Sequence, residues 1–175
     1  TMGATAHHPR YKLSFKWQGT TGISTIREIR WTTSRLGIVT PVAVIDPIDL
    51  SGATIHHVTL HNAAHVRSYG LKVGDSIEIV RSGEVIPKFL RVVEQARGIV
   101  EIPESCPSCG QELKDDQVRL LCQHSECVAQ QLRSILNWIR CVNIDDLSEK
   151  RLTHLIEMGF VRKIRDLYRL SREDF

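Results

Sequence analysis

Tyr11-Lys12-Leu13-Ser14-Phe15-Lys16-Trp17 alternates apolar and polar side chains without a break, the period of a strand that buries one face. Lys12, Ser14 and Lys16 share its other face. Between Ile23 and Val93, β-rich runs alternate with turn signals at Arg35-Leu36-Gly37, Asp46-Pro47, Ser51-Gly52, Gly74-Asp75 and Ser82-Gly83, a spacing that predicts a small closed sheet. One helical interlude interrupts it. Asn62 is placed to cap a helix over Ala63-Ala64-His65-Val66-Arg67-Ser68-Tyr69, and Gly70 falls where a left-handed terminating residue belongs. Ser76-Ile77-Glu78-Ile79-Val80 and Val85-Ile86-Pro87-Lys88-Phe89 then predict a hairpin, with Pro87 marking an edge strand because it lacks a ladder N–H. Beyond Cys127, apolar residues recur at helical spacing at Val128, Leu132, Ile135, Leu136 and Ile139, and again at Leu152, Leu155 and Ile156 before Gly159.

A partly open five-stranded barrel with a helix between its third and fourth strands is the OB arrangement. The expected fold is mainly β with α: an OB-fold barrel over residues 19–99, a small zinc module over 100–130, and a short helical segment over 131–175. Residues 1–18 precede the barrel. The helical segment has too few helices to enclose much core, so it is expected to pack on the zinc module or to belong to a larger helical domain.

The zinc module is read from Cys106-Pro-Ser-Cys109 and Cys122-Gln-His-Ser-Glu-Cys127. Each pair brings two sulfurs into one turn, so a metal needs only one long-range closure, and four thiolates leave no position open for water. Such a site is structural. The polar stretch Gln111-Glu112-Leu113-Lys114-Asp115-Asp116 between the pairs cannot form a core, which leaves the metal to supply the folding energy. Two disulfides and a redox Cys-x-x-Cys are the rivals; no signal peptide favours the first, and the second needs no downstream pair. His124 could replace one thiolate. Cys141, outside the pairs, reads as a buried small apolar residue.

Composition narrows the setting. The 175 residues are 42% hydrophobic and 25% charged, ordinary for a soluble protein. No apolar run approaches the ~18 residues of a membrane span, so no membrane partner is expected and a cytoplasmic setting is. The formal charge of +3 hides an asymmetry, since residues 1–100 carry 12 Lys and Arg against 7 Asp and Glu while residues 101–175 carry 11 against 13. A basic first part permits polyanion binding, although such an excess is often only a solvated surface.

The order of elements, a lysine-bearing strand, an OB barrel, a four-cysteine module and a helical start, resembles the bacterial NAD-dependent DNA ligases. Five local motifs agree in the same order. His8-Pro9-Arg10-Tyr11 with Phe15-Lys16-Trp17 looks like the final strand of the ligase adenylation domain, which the resemblance assigns to residues 1–18. Arg35-Leu36-Gly37-Ile38-Val39-Thr40-Pro41-Val42-Ala43, Thr59-Leu60-His61-Asn62 and Arg81-Ser82-Gly83-Glu84-Val85-Ile86-Pro87 are similar to OB signatures, and the cysteines complete the set. Asp166-Leu167-Tyr168-Arg169-Leu170 extends the likeness almost to Phe175. The resemblance implies an enzyme that seals nicks in duplex DNA in replication and repair, using NAD and Mg2+ with a structural Zn2+, acting as a monomer at the bacterial nucleoid.

Lys16 then corresponds to the family lysine that contacts the phosphate of the adenylate, a role in catalysis and cofactor binding. A point charge on a rigid strand suits it, because it can stabilise charge developing on a transferring phosphoryl group. Arg35 and Arg81 are the candidate DNA phosphate contacts, since a guanidinium fork on a turn reaches backbone oxygens without reading sequence. His61 and Asn62 are further candidates, although Asn62 also suffices as a helix cap and His61 as a turn residue.

Two departures from the family pattern stand out. The nucleophile of these ligases is a lysine in Lys-x-Asp-Gly, and no such motif occurs here; Lys114-Asp115-Asp116-Gln117 fails at its last position. The chain therefore reads as a C-terminal part of a ligase, inactive in self-adenylation and needing an adenylation domain as partner. At Asn143-Ile144-Asp145-Asp146-Leu147-Ser148 the family's helix-hairpin-helix has a Gly-Leu-Gly turn, and Asp146 and Ser148 replace both glycines. An acidic side chain there repels a DNA phosphate. The rival from another class is a non-enzymatic OB and zinc-ribbon module for single-stranded nucleic acid, which needs aromatic stacking platforms. Aromatics are only 6%, and Trp31 is the sole one between Trp17 and Tyr69. A thiol oxidoreductase is a third reading.

Overall fold

The computed structural model describes residues 3, 19–81, 86–145 and 147–171. The predicted strand over Tyr11–Trp17, and Lys16 with it, lies outside the described residues. Five strands, β1 (Thr20–Thr33), β2 (Ile38–Leu50), β3 (Ala53–Thr59), β4 (Ser76–Arg81) and β5 (Lys88–Glu94), make up the first part, with helix α1 (Ala63–Tyr69) between β3 and β4. β1 pairs with both β2 and β4, β2 with β3, and β4 with β5, all antiparallel. A single parallel bridge, Thr59 to Lys88, joins β3 to β5 and completes the circuit. This is the predicted OB topology, closed at one point.

Inside the circuit Ile26, Ala43, Val58, Ile77 and Ile79, the inward half of the period-two pattern, are fully buried, joined by Leu60, Val66 and Leu71 from α1 and its flanks. α1 closes one end of that core through Val66. Its limits are those the sequence predicts: the Asn62 side-chain oxygen accepts the His65 N–H at 2.8 Å, and Gly70 adopts φ 61.

Asp46-Pro47 is not a turn. It lies within β2, where the register with β3 slips between Val44 and Ile48. A bulge accommodates the proline, whose missing N–H would otherwise break the ladder. The bulge is held by Arg27, which grips the Asp46 carboxylate at 2.7 and 2.8 Å. Pro87 is likewise outside its expected strand, immediately before β5.

Asp75 is fully buried and satisfied on both oxygens, by the Lys72 N–H at 2.9 Å and the Ala96 N–H at 2.8 Å, with the Lys72 ammonium at 3.5 Å. It ties the start of β4 to the segment leaving β5. Asp75→Asn keeps the shape but sets an amide N–H2 against donors, and should cost about 1–3 kcal/mol, read as a lower urea midpoint at unchanged slope.

Beyond residue 100 two short strands, β6 (Leu113–Asp115) and β7 (Leu120–Cys122), form a hairpin. β7 also pairs with β2, Ile38 to Leu121 and Val39 to Leu120, so one sheet runs from the first part into the cysteine module. Helices α2 (Val128–Cys141) and α3 (Glu149–Glu157), with a 3-10 turn at Ile164–Arg169, follow. They enclose a small core of Ile135, Ile139, Leu152, Leu155 and Val161. Cys141, expected to be buried, is exposed at the end of α2, because Ile135 and Ile139 take the inward face and position 141 falls off it.

Candidate metal centre and nucleic-acid interface

Cys106-Pro-Ser-Cys109-Gly110 folds into a tight knuckle in which the Gly110 N–H returns to the Cys106 carbonyl at 2.9 Å and Gly110 adopts φ 72. The second pair comes from the end of β7 and the residue that opens α2. Together the four Sγ atoms lie within 4.8 Å of one another. Cys106 and Cys127 are 3.9 Å apart and Cys109 and Cys122 3.6 Å. Four sulfurs at about 2.3 Å from one centre are roughly 3.8 Å from each other, so the cluster has the dimensions of a tetrahedral metal site. All four are free thiols, and His124 is not in the group.

The surroundings are those of a thiolate cage. Burial pushes the Cys106 thiol up, but the Thr33 hydroxyl and the Ser108 and Cys109 backbone N–H groups outweigh it and bring the thiol down to about 6. Burial raises Cys109 and Cys122. In the absence of a cation, crowded sulfurs resist sharing negative charge; a divalent ion reverses that.

The module is not self-sufficient. Its cysteines pack with Leu113, Leu120, Val39 and Ala63, the last two from the OB part. The Ala64 N–H, an orphan at the start of α1, donates to the Val118 carbonyl at 3.1 Å, and Arg67 of α1 pairs with Asp115. Sequence reading missed this docking, for which only the pairing of charges across a long separation was a signal.

The candidate DNA contacts do not converge. Arg35 stands in the β1–β2 turn, where Ser34 Oγ accepts the Ile38 N–H at 3.1 Å and Gly37 has φ 77. A side chain on Gly37 would collide with the Cys122 carbonyl oxygen, and the Cys122 N–H donates to the Gly37 carbonyl at 2.8 Å. The turn is thus pinned to the cysteine module. Arg81 is at the other end of β1, paired with Thr20, and its guanidinium donates to the Leu50 and Ser51 carbonyls at 3.0 Å each.

His61 (φ 65) is exposed beside the cap residue Asn62. Its ring lies 4.8 Å from that of His65, which also meets Tyr69 at 4.7 Å and Phe89 at 5.2 Å. Burial and the His61 charge hold His65 below its usual value. Ser148 caps α3 by accepting the Arg151 N–H at 3.3 Å, while Asp146 lies outside the described residues.

Residues 23–101 match the model of the NAD-dependent DNA ligase OB-fold domain. This stretch is an OB-fold domain of the NAD-dependent DNA ligase kind. A protein named DNA ligase from Desulfatibacillum aliphaticivorans is 41% identical over 175 residues, covering 99% of this chain. DNA ligases of Oceanobacillus iheyensis and Coprothermobacter proteolyticus are 35% and 36% identical over 99% of it. The chain spans 27% of the length of each of these ligases. The likeness therefore covers the OB domain, the cysteine module and the helices that follow. Among the described residues no helix is long and apolar enough to cross a membrane.

Proposed function

We propose that this chain is the DNA-gripping OB and zinc region of an NAD-dependent DNA ligase, which in the complete enzyme seals nicks in duplex DNA with NAD and Mg2+. The OB-domain match carries this reading. The functional units are residues 19–99, 100–130 and 131–175, with residues 1–18 as the end of an adenylation domain. Cys106, Cys109, Cys122 and Cys127 hold zinc, for which four sulfurs and no open position are the structural donor set. Closed to water, that ion supplies rigidity. Lys16 contacts the adenylate phosphate, and Arg35, with Arg81, His61 and Asn62, faces the DNA backbone.

Arg81 serves best through its geometry. By fixing the β2–β3 turn it shapes the surface, whereas Arg35, on a turn locked to the metal module, projects into solvent. The OB core is mainly aliphatic, and the rings of His65, Tyr69 and the buried Phe89 pack tilted or edge-on against one another. That arrangement leaves little for base stacking and favours duplex over single strand.

The chain should bind nicked duplex DNA weakly and without sequence preference, with affinity that falls steeply as salt is raised, because each neutralised phosphate releases about 0.9 counterion. Arg35→Ala should lower that salt slope by about one for all sequences alike. Fluorescence anisotropy over about 50–200 mM salt reads both. Affinity that stays flat with salt, or a preference for single-stranded over nicked duplex DNA, sinks the reading.

A further inference from the structure

Arg35 is not isolated. It borders a shallow cleft of about 280 Å3 with Ser34, Arg133, Leu136, Asn137, Arg140 and Glu149. Arg133 and Arg140 are seven positions apart, two turns of α2, and so lie on one face of the helix. Leu136 and Asn137 fall between them and line the floor. Among the described residues none of the three guanidinium groups makes an ion pair. Glu149 is the one acid on the rim. A second cleft on the far side of Arg35 adds Arg162 and Lys163, which continues the positive charge.

Three guanidinium groups that make no ion pair among the described residues thus line one cleft, a grouping of like charge that a polyanion seated between them would relieve. Their relative position is fixed. The turn of Arg35 is hydrogen-bonded to Cys122, and Cys127 caps the start of α2, so both elements that carry the arginines are anchored at the cysteine cluster. Gln130 of α2 reinforces this anchorage by donating to the Cys122 and His124 carbonyls at 3.0 and 3.2 Å. In the neighbouring turn the Ser148 hydroxyl is already engaged as the cap of α3.

We propose that Arg35, Arg133 and Arg140 form a phosphodiester-binding cleft that grips the duplex backbone across the seam between the OB domain and α2. It rests on the reading that the chain binds duplex DNA. The cleft holds phosphate oxygens, which three guanidinium forks can take bidentately. It thereby gives the helical segment a hold on DNA that the acidic sequence Asp145-Asp146 denies to the turn before α3.

The test is anisotropy of the whole 175-residue chain on nicked duplex and on single-stranded DNA, over about 50–200 mM salt. Arg133→Ala and Arg140→Ala should each take about 0.9 from the slope of log affinity against log salt on the duplex. The double variant should lose about 1.8, so that its affinity changes roughly tenfold less over that range. Glu149→Gln should tighten binding. Lys150→Ala, outside the cleft, should leave the slope unchanged, and metal content should be equal in all. If the unaltered chain binds duplex DNA with a steep slope that the double variant keeps, the cleft is wrong and the function stands. If only single-strand binding responds to the double variant, the cleft is also wrong. If the unaltered chain shows no salt-dependent duplex binding, the function fails and the cleft with it.

Discussion

Cys109→Ser, or chelation of the metal, should unfold residues 101–127 while the β1–β5 sheet stays folded. The OB part has a continuous core of its own, with twelve buried residues from Ile26 to Phe89. Apart from its cysteines, the metal module buries only Leu113 and Leu120 from its own hairpin, packed on Val39 and Ala63 lent by the OB domain. Little apolar area is available there, so a bound metal would have to close the balance. Structural zinc sites contribute an apparent ~10–16 kcal/mol at neutral pH, enough to decide folding of a segment this size.

Native mass spectrometry should find one zinc per chain and none in the serine variant. Limited proteolysis should then cut between Cys106 and Cys127. The damage should reach one step further, since Val39 and Ala63 are uncovered and the Ala64 N–H loses its acceptor. A protected 101–127 segment after complete metal removal, or the finding of two disulfides in the native protein, sinks the assignment.

How far the sequence could be read depends on whether the determining interaction is local. Asn62 and Gly70 bound α1 in sequence and in structure because both act within a turn of their own position. The cysteine spacing is equally local, with each pair closed inside one loop. Asp46-Pro47 misled because a turn signal and a bulge in a long strand share the same residues, and only the facing Arg27 decides between them. Cys141 misled because its burial depends on the rotation of α2 against α3, which the buried pair Ile135 and Ile139 determines.

The hairpin β6–β7 and its docking on α1 were invisible for a different reason. Each strand is three residues long, too short for a period, and its stability is tertiary. The charge cluster at Arg133 and Arg140 is local in spacing, but its meaning comes from Arg35, far earlier in the chain and brought near only through Gly37 and Cys122. The grouping of chemistry into a site is the part that a one-dimensional pattern does not contain.

Joined to an adenylation domain that carries Lys-x-Asp-Gly, the chain should support nick sealing, and Lys16→Ala should then depress the chemical steps by about 10²-fold or more. DNA binding by the same variant should hardly change. The asymmetry follows from where the charge acts. One preorganised cation aimed at a transferring phosphoryl group meets charge that develops only in the transition state, whereas a single phosphate contact among several removes about one counterion from the binding slope. The 175-residue chain by itself should take up no adenylate from NAD, since its one Lys-x-Asp sequence, Lys114-Asp115-Asp116-Gln117, ends in glutamine and Asp115 is engaged by Arg67. Single-turnover sealing of a pre-adenylated nick isolates the step at issue. Near-normal rates there with Lys16→Ala would leave Lys16 without a catalytic role, and radiolabelled adenylate on the isolated chain would show a nucleophile that its motifs do not reveal.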